Sequence, residues 1–105
     1  MCIRDSPLAE LSRLLGHVDQ RVRQAAQFEL VSRGPAGVPI LTAAAASSGN
    51  LFARLHGIWG LGQLGRRNPE VLQPLLDLVV DPDAQVRSQA VRTLGDCLLY
   101  TSRCV

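Results

Sequence analysis

The sequence predicts an all-α fold, an α-solenoid of three antiparallel helix pairs, and three observations lead there. A twelve-residue pattern occurs three times, as DQRVRQAAQFEL from Asp19, NLFARLHGIWGL from Asn50 and DAQVRSQAVRTL from Asp83, with starts 31 and then 33 residues apart. It aligns Asp19/Asn50/Asp83, Val22/Ala53/Val86, Arg23/Arg54/Arg87, Ala26/Gly57/Ala90 and Leu30/Leu61/Leu94. Self-similarity at such a period marks a stack whose units bury their apolar faces only against one another. Apolar residues outside the copies also recur at helical spacing, as in Leu8, Leu11, Leu14 and Leu15. Finally, no stretch alternates strictly between apolar and polar residues, so no strand is expected.

The elements follow in order. A first helix is expected over 7–17 on the leucine spacing, and a second from Asp19, whose carboxylate can accept first-turn N–H groups, to about Arg33. Gly34 suits a left-handed helix end, and Pro35-Ala36-Gly37 a turn. The third helix covers 38–48, with Pro39 in its first turn and the Ala43–Ala46 run favouring helix. The fourth runs from Asn50 to near Gly65 and carries Gly57, Gly60, Gly62 and Gly65. Each interior Gly costs roughly 1 kcal/mol relative to Ala, so packing must hold this helix, and Gly57 in the slot of Ala26 and Ala90 points to close helix approach. The fifth starts at Asn68-Pro69 and should kink at Pro74; the sixth runs from Asp83 to about Leu94, or further if the tail continues it. The repeats are thus 7–34, 35–66 and 67–96. Neither end of the stack reads as a polar cap, so exposed apolar surface is expected on the first and last helices.

The segments outside these repeats have a different expected origin. The string ATGTGTATAAGAGACAG would encode Met1–Ser6, and its reverse complement, extended by two bases, would encode Cys97–Ser102 (CLLYTS). That string resembles the transposon end used in sequencing-library preparation, so 1–6 and 97–105 are expected to be library sequence, left out of fold reasoning. All three cysteines (Cys2, Cys97, Cys104) fall there. Without them no disulfide framework, thiol nucleophile or cysteine-ligated metal is expected.

Between 7 and 96 stand nine Arg, no Lys and eight acids, a formal charge of +1. That balance argues against nucleic acid or an anionic membrane as partner, and no apolar run is long enough to span a bilayer. No Ser-His-Asp set, phosphate loop or dinucleotide fingerprint is present. His17 and His56 lie on different elements with no carboxylate cluster, so neither a metal nor any other cofactor is expected.

Two sets of side chains stand out. Arg23, Arg54 and Arg87 follow the caps Asp19, Asn50 and Asp83 by one turn, and stacking sets them in two columns. Each Arg fork is expected to bond a carboxylate of its own repeat or the next, as a structural ladder whose middle rung is weakest because Asn50 carries no charge. The alternative is an Arg row that binds acidic partners. The second set is one face of the second helices: Arg21 and Phe28, then Phe52, Leu55, His56 and Trp59, then Arg92. As a concave aromatic and cationic patch, with Phe28, Trp59 and Arg92 as neighbours, it would bind a partner. As packing between repeats, Phe52, Leu55 and Trp59 would be core.

The D-x-x-V-R-x-x-A-x-x-x-L pattern, carried by Asp19-Val22-Arg23-Ala26-Leu30 and Asp83-Val86-Arg87-Ala90-Leu94, resembles the HEAT-repeat family, especially its short bacterial form. The middle copy departs at Asn50, Ala53 and Gly57, while Pro74 matches the family's kinked first helix. The resemblance implies a non-catalytic scaffold that holds proteins, or neighbouring domains of the same chain. A narrower likeness lies in 53–64 (ARLHGIWGLGQL), which is similar to the HEAT segment of large planctomycete-type bacterial proteins. Those join a membrane-bound sugar-dehydrogenase-like propeller to a haem-binding Cys-x-x-Cys-His domain. It implies a spacer between catalytic and electron-transfer parts, in the periplasm or cell envelope, although neither the haem motif nor a propeller pattern occurs in these residues. A nucleic-acid-binding HEAT-like module is the third reading, opposed by the near-neutral charge.

Overall fold

The computed structural model describes residues 6–47 and 49–103, without the side chains of residues 47 and 98–103. The expected library segment before Ser6 lies outside the described residues. So do Ser48, the expected last residue of the third helix, and Cys104 and Val105. The described chain forms α1 (Leu8–Leu14), α2 (Gln20–Ser32), α3 (Val38–Ser47), α4 (Leu51–Gly65), α5 (Gln73–Leu78) and α6 (Ala84–Arg103). Short 3-10 turns stand at Gly34–Ala36 and Pro69–Leu72.

Local chemistry sets the starts of the second helices. Asp19 Oδ1 accepts the Arg21 N–H at 2.8 Å, Asn50 Oδ1 those of Phe52 and Ala53 at 2.9 and 3.4 Å, and Asp83 Oδ1 those of Gln85 and Val86 at 2.8 and 3.2 Å. Each satisfies first-turn donors that have no helical partner. After α2 the chain reverses at Gly34, whose φ of +61° is open to glycine and strained for other residues.

Two first helices differ from expectation. The first ends at Leu14, short of His17. The Gly16 carbonyl is instead taken by the Asn50 side-chain amide at 3.0 Å, which ties the turn to the second pair. The kinked fifth helix is divided: a 3-10 turn at Pro69–Leu72 precedes α5. Pro74 has no N–H to give the Glu70 carbonyl, and that carbonyl accepts the Gln73 N–H one residue earlier. The sixth helix runs past Leu94 to Arg103, through the segment assigned to library sequence.

The second helices lie side by side, with α4 packed on α2, α6 and α3. Arg23 and Gln27 of α2 meet first His56 and then Gln63 of α4. Trp59 bonds Gln89 of α6, and the Gly62 carbonyl accepts from Cys97 further along. Both series ascend together, so α2, α4 and α6 run parallel as successive rungs. Leu11, Leu15, Leu30, Leu41, Ile58, Leu61, Leu75 and Val86 are fully buried, which spreads one core across the three pairs. Against α3, a Cβ built on Gly57 would stand 2.8 Å from the Ala45 nitrogen and the Leu41 oxygen. Backbone meets backbone there, as the Ala26/Gly57/Ala90 slot suggests.

Candidate interaction groove and the arginine ladder

The ladder arginines do not pair with the caps. Arg23 Nη1 donates to the carbonyls of His17 and Val18 at 2.7 and 3.1 Å, and Arg87 Nη1 to those of Asp81 and Pro82 at 2.8 and 3.0 Å. Arg54 donates through Nε to the Ala45 carbonyl at 3.0 Å and grips Asp81 with both terminal nitrogens at 3.1 and 2.5 Å. The weak middle rung is therefore reversed: Arg54 has a carboxylate from the next repeat, and Asn50 is not its partner. The cap side chains Asp19, Asn50 and Asp83 bond their own helix starts, while the loops before α2 and α6 offer carbonyls to Arg23 and Arg87, and α3 offers that of Ala45 to Arg54. Hydrogen bonds from Arg54, and from the Asp83 N–H at 2.9 Å, hold the Asp81 carboxyl below its ordinary pKa. The exposed Asp19 carboxyl is lowered too, first by the Arg21 backbone N–H and then by the Arg21 side chain at 3.4 Å.

The patch residues divide. Phe52, Leu55, His56 and Trp59 of α4 come together with Gln20 and Arg23 of α2 around a shallow groove of about 220 Å³. Phe52 is 50% exposed at its mouth, and the Arg23 guanidinium stacks under its ring at 4.1 Å from the centroid. Leu55 and His56 are buried beneath, and Trp59 is half-buried. Arg21, Phe28 and Arg92 lie outside the groove. Phe28 is half exposed, Arg21 turns to Asp19, and Arg92 lines a separate depression near Val79 and Val91. Trp59 Nε1 donates to Gln89 Oε1 of α6 at 2.9 Å, and neither Phe28 nor Arg92 lines the groove beside it. The sequence pattern carried the register of the three helices but not which side chain closes each gap.

Under the groove runs a polar relay. Arg23 Nε donates to His56 Nε2 at 3.3 Å, so the His56 proton sits on Nδ1, which donates to Gln27 Oε1 at 2.7 Å. Gln27 in turn donates to Gln63 Oε1 at 2.8 Å. Burial first, and then the Arg23 charge, lowers the His56 pKa, which keeps the ring neutral. The ring also meets Trp59 edge to face at 4.9 Å and 83°. Gln27, Gln63 and Asp81 were not singled out from sequence. The available signals were an amide one turn after Arg23 and a polar residue two places ahead of a cap, as at His17 and Asp81.

Among the described residues no three of His, Cys, Asp and Glu gather as metal ligands. No described helix is long and apolar enough to cross a membrane. A family model described as HEAT repeats matches residues 6–96. No curated protein matches the chain.

Proposed function

Because the chain belongs to the HEAT-repeat family, whose helix pairs generally mediate contacts between proteins, we propose that it is a non-catalytic scaffold that holds a protein partner or a neighbouring domain at the α2–α4 groove. One observation carries this reading: Phe52 is left 50% exposed on a guanidinium that is itself buried. A large aromatic ring held rigid at the surface, with a second aromatic beside it, is the composition of an interface hot spot. The groove, at about 220 Å³, is smaller than the usual small-molecule pocket and suits one anchoring side chain of a partner. Arg23 and Arg54 are engaged with carbonyls, His56 and Asp81, so these two rungs do not offer open cations to nucleic acid.

Selection of a phage-displayed peptide library against the chain tests this. The expected peptides share one large apolar residue, and Phe52→Ala weakens them at least tenfold while circular dichroism stays unchanged. Peptides that bind Phe52→Ala as well as the parent chain would remove the groove as the site. We further propose that residues 1–6 and 97–105 derive from library sequence; codons at either end that depart from the transposon-end string would reject that origin.

A further inference from the structure

Arg23 is only 8% exposed, and among the described residues no carboxylate lies within ion-pair distance of it. Asp19, one turn before it, turns to Arg21. Arg54 holds Asp81 of the next pair, whereas the second pair has Ser48, not an acid, at the sequence position that matches Asp81. Protein interiors seldom hold a charge without an opposite one. Here neutral groups hold it: Nη1 donates to the His17 and Val18 carbonyls, Nε to His56, and the guanidinium lies on the Phe52 ring. The Nη2 hydrogens have no acceptor among the described residues. No fully buried side-chain nitrogen among these residues lacks a partner, so Nη2 reaches the surface. Arg23 lines the α2–α4 groove, and Nη2 opens there.

The other groove residues have little polar capacity left. Both ring nitrogens of His56 are bonded, and Trp59 Nε1 donates to Gln89. Gln20 is exposed, lines the groove, and makes no side-chain hydrogen bond among the described residues. No acid lines the groove. Its open groups are thus donors, one of them on a cation, set beside the apolar surface of Phe52, Leu55 and Trp59. Taking this groove as the docking site, we propose that the partner fills it with a carboxylate next to a large apolar group. One carboxylate oxygen accepts from Arg23 Nη2 and the other from the Gln20 amide, while the apolar group packs on Phe52 and Trp59. A charge-assisted bond to a cation largely withdrawn from water is stronger than the same bond at the surface. At about 220 Å³ the groove admits one such group, and a spread of phosphates does not reach down to Arg23.

Phenylpropionate and its neutral amide test this, since they share a ring and a carbonyl oxygen and differ in charge. Each is titrated into the whole chain and followed by the emission of Trp59, the only tryptophan, and by the NMR signal of the Arg23 Nε–H. The acid is expected to bind at least tenfold more tightly than the amide, less so in high salt. Arg23→Gln, with helix content checked by circular dichroism, should make the two equal. If that variant unfolds, the parent chain still decides: the Arg23 signal must move with the acid and stay in place with the amide. An amide that binds as well as the acid, an acid preference that survives Arg23→Gln, or no response to either compound overturns the carboxylate. Those results leave the groove itself to the Phe52→Ala peptide test. Peptides indifferent to Phe52→Ala would remove the groove and the carboxylate together.

Discussion

Arg23 and His56 meet through the guanidinium Nε and the imidazole Nε2, at 3.3 Å across the first repeat boundary. The arginine nitrogen can only donate, so protonating His56 would set donor against donor. Burial and the Arg23 charge both lower the His56 pKa in the folded chain. The sign follows from linkage. The unfolded chain takes up the proton near pH 6.5 and the folded chain only below that, so the stabilisation is complete above about pH 6.5 and is lost progressively as pH falls beneath it. Thermal unfolding from pH 8 to 5 should show the midpoint falling with acidification, and His56→Gln should flatten that limb. An equally steep limb in the variant would place the titration elsewhere.

The Arg54–Asp81 pair gives a second, more acidic limb. Asp81 is held below its ordinary value by Arg54, so its contribution is present above about pH 4 and disappears as pH falls through the lowered folded value. Arg54 is also bonded to Ala45, and Arg54→Ala is expected to lower the urea midpoint by leaving the Asp81 carboxylate and the Ala45 carbonyl without their donor. Asp81→Asn should lower the urea midpoint at neutral pH and leave the stability below pH 3 close to that of the parent. A midpoint unchanged at neutral pH would show the contact to be idle.

What could be read in advance was what closes within a few residues. Asp19, Asn50 and Asp83 cap because the acceptor and the first-turn donors are two or three positions apart. Gly57 declared the α3–α4 contact because only backbone against backbone needs so small a residue in the Ala26/Ala90 slot. The arginine partners were not legible, since Arg54 reaches Asp81 across 27 residues and the offset depends on how far each repeat rises and turns. The cap letter misled for a related reason: Asn50 stands where Asp is expected because its amide donates to Gly16 while its oxygen caps α4, and a carboxylate cannot donate. Gln27 and Gln63 sit in the relay as ordinary polar letters, and only the neighbouring helix gives them meaning.

Phe52 and Trp59 separate the interface from the core. Phe52 is half exposed and its main partner is the Arg23 guanidinium, so Phe52→Ala is expected to cost no more than about 1 kcal/mol. Trp59 packs on the core and bonds Gln89 of α6, so Trp59→Ala is expected to cost about 2–3 kcal/mol and to loosen the third repeat. Urea unfolding gives the two costs. Hydrogen exchange should show lost protection in α6 for the tryptophan variant alone. Equal costs would mean that Phe52 is also a core residue and would leave the groove without its anchor.

Gly57 and Gly95 are both helical, and the same substitution should move them in opposite directions. Replacing Gly by Ala inside a helix gains about 0.5–1 kcal/mol when nothing opposes it. Around Gly95 of α6 nothing lies within 4 Å of an added Cβ, so Gly95→Ala should raise the unfolding midpoint. At Gly57 the added carbon would stand 2.8 Å from main-chain atoms of Leu41 and Ala45, which cannot rotate away as a side chain could. Gly57→Ala must push α3 from α4, and overpacking of this kind costs about 1–3 kcal/mol, more than the helix preference returns. Paired denaturant titrations check both signs. A stabilised Gly57→Ala would mean that the two helices are not in main-chain contact, and the central rung of the stack would then be wrongly placed.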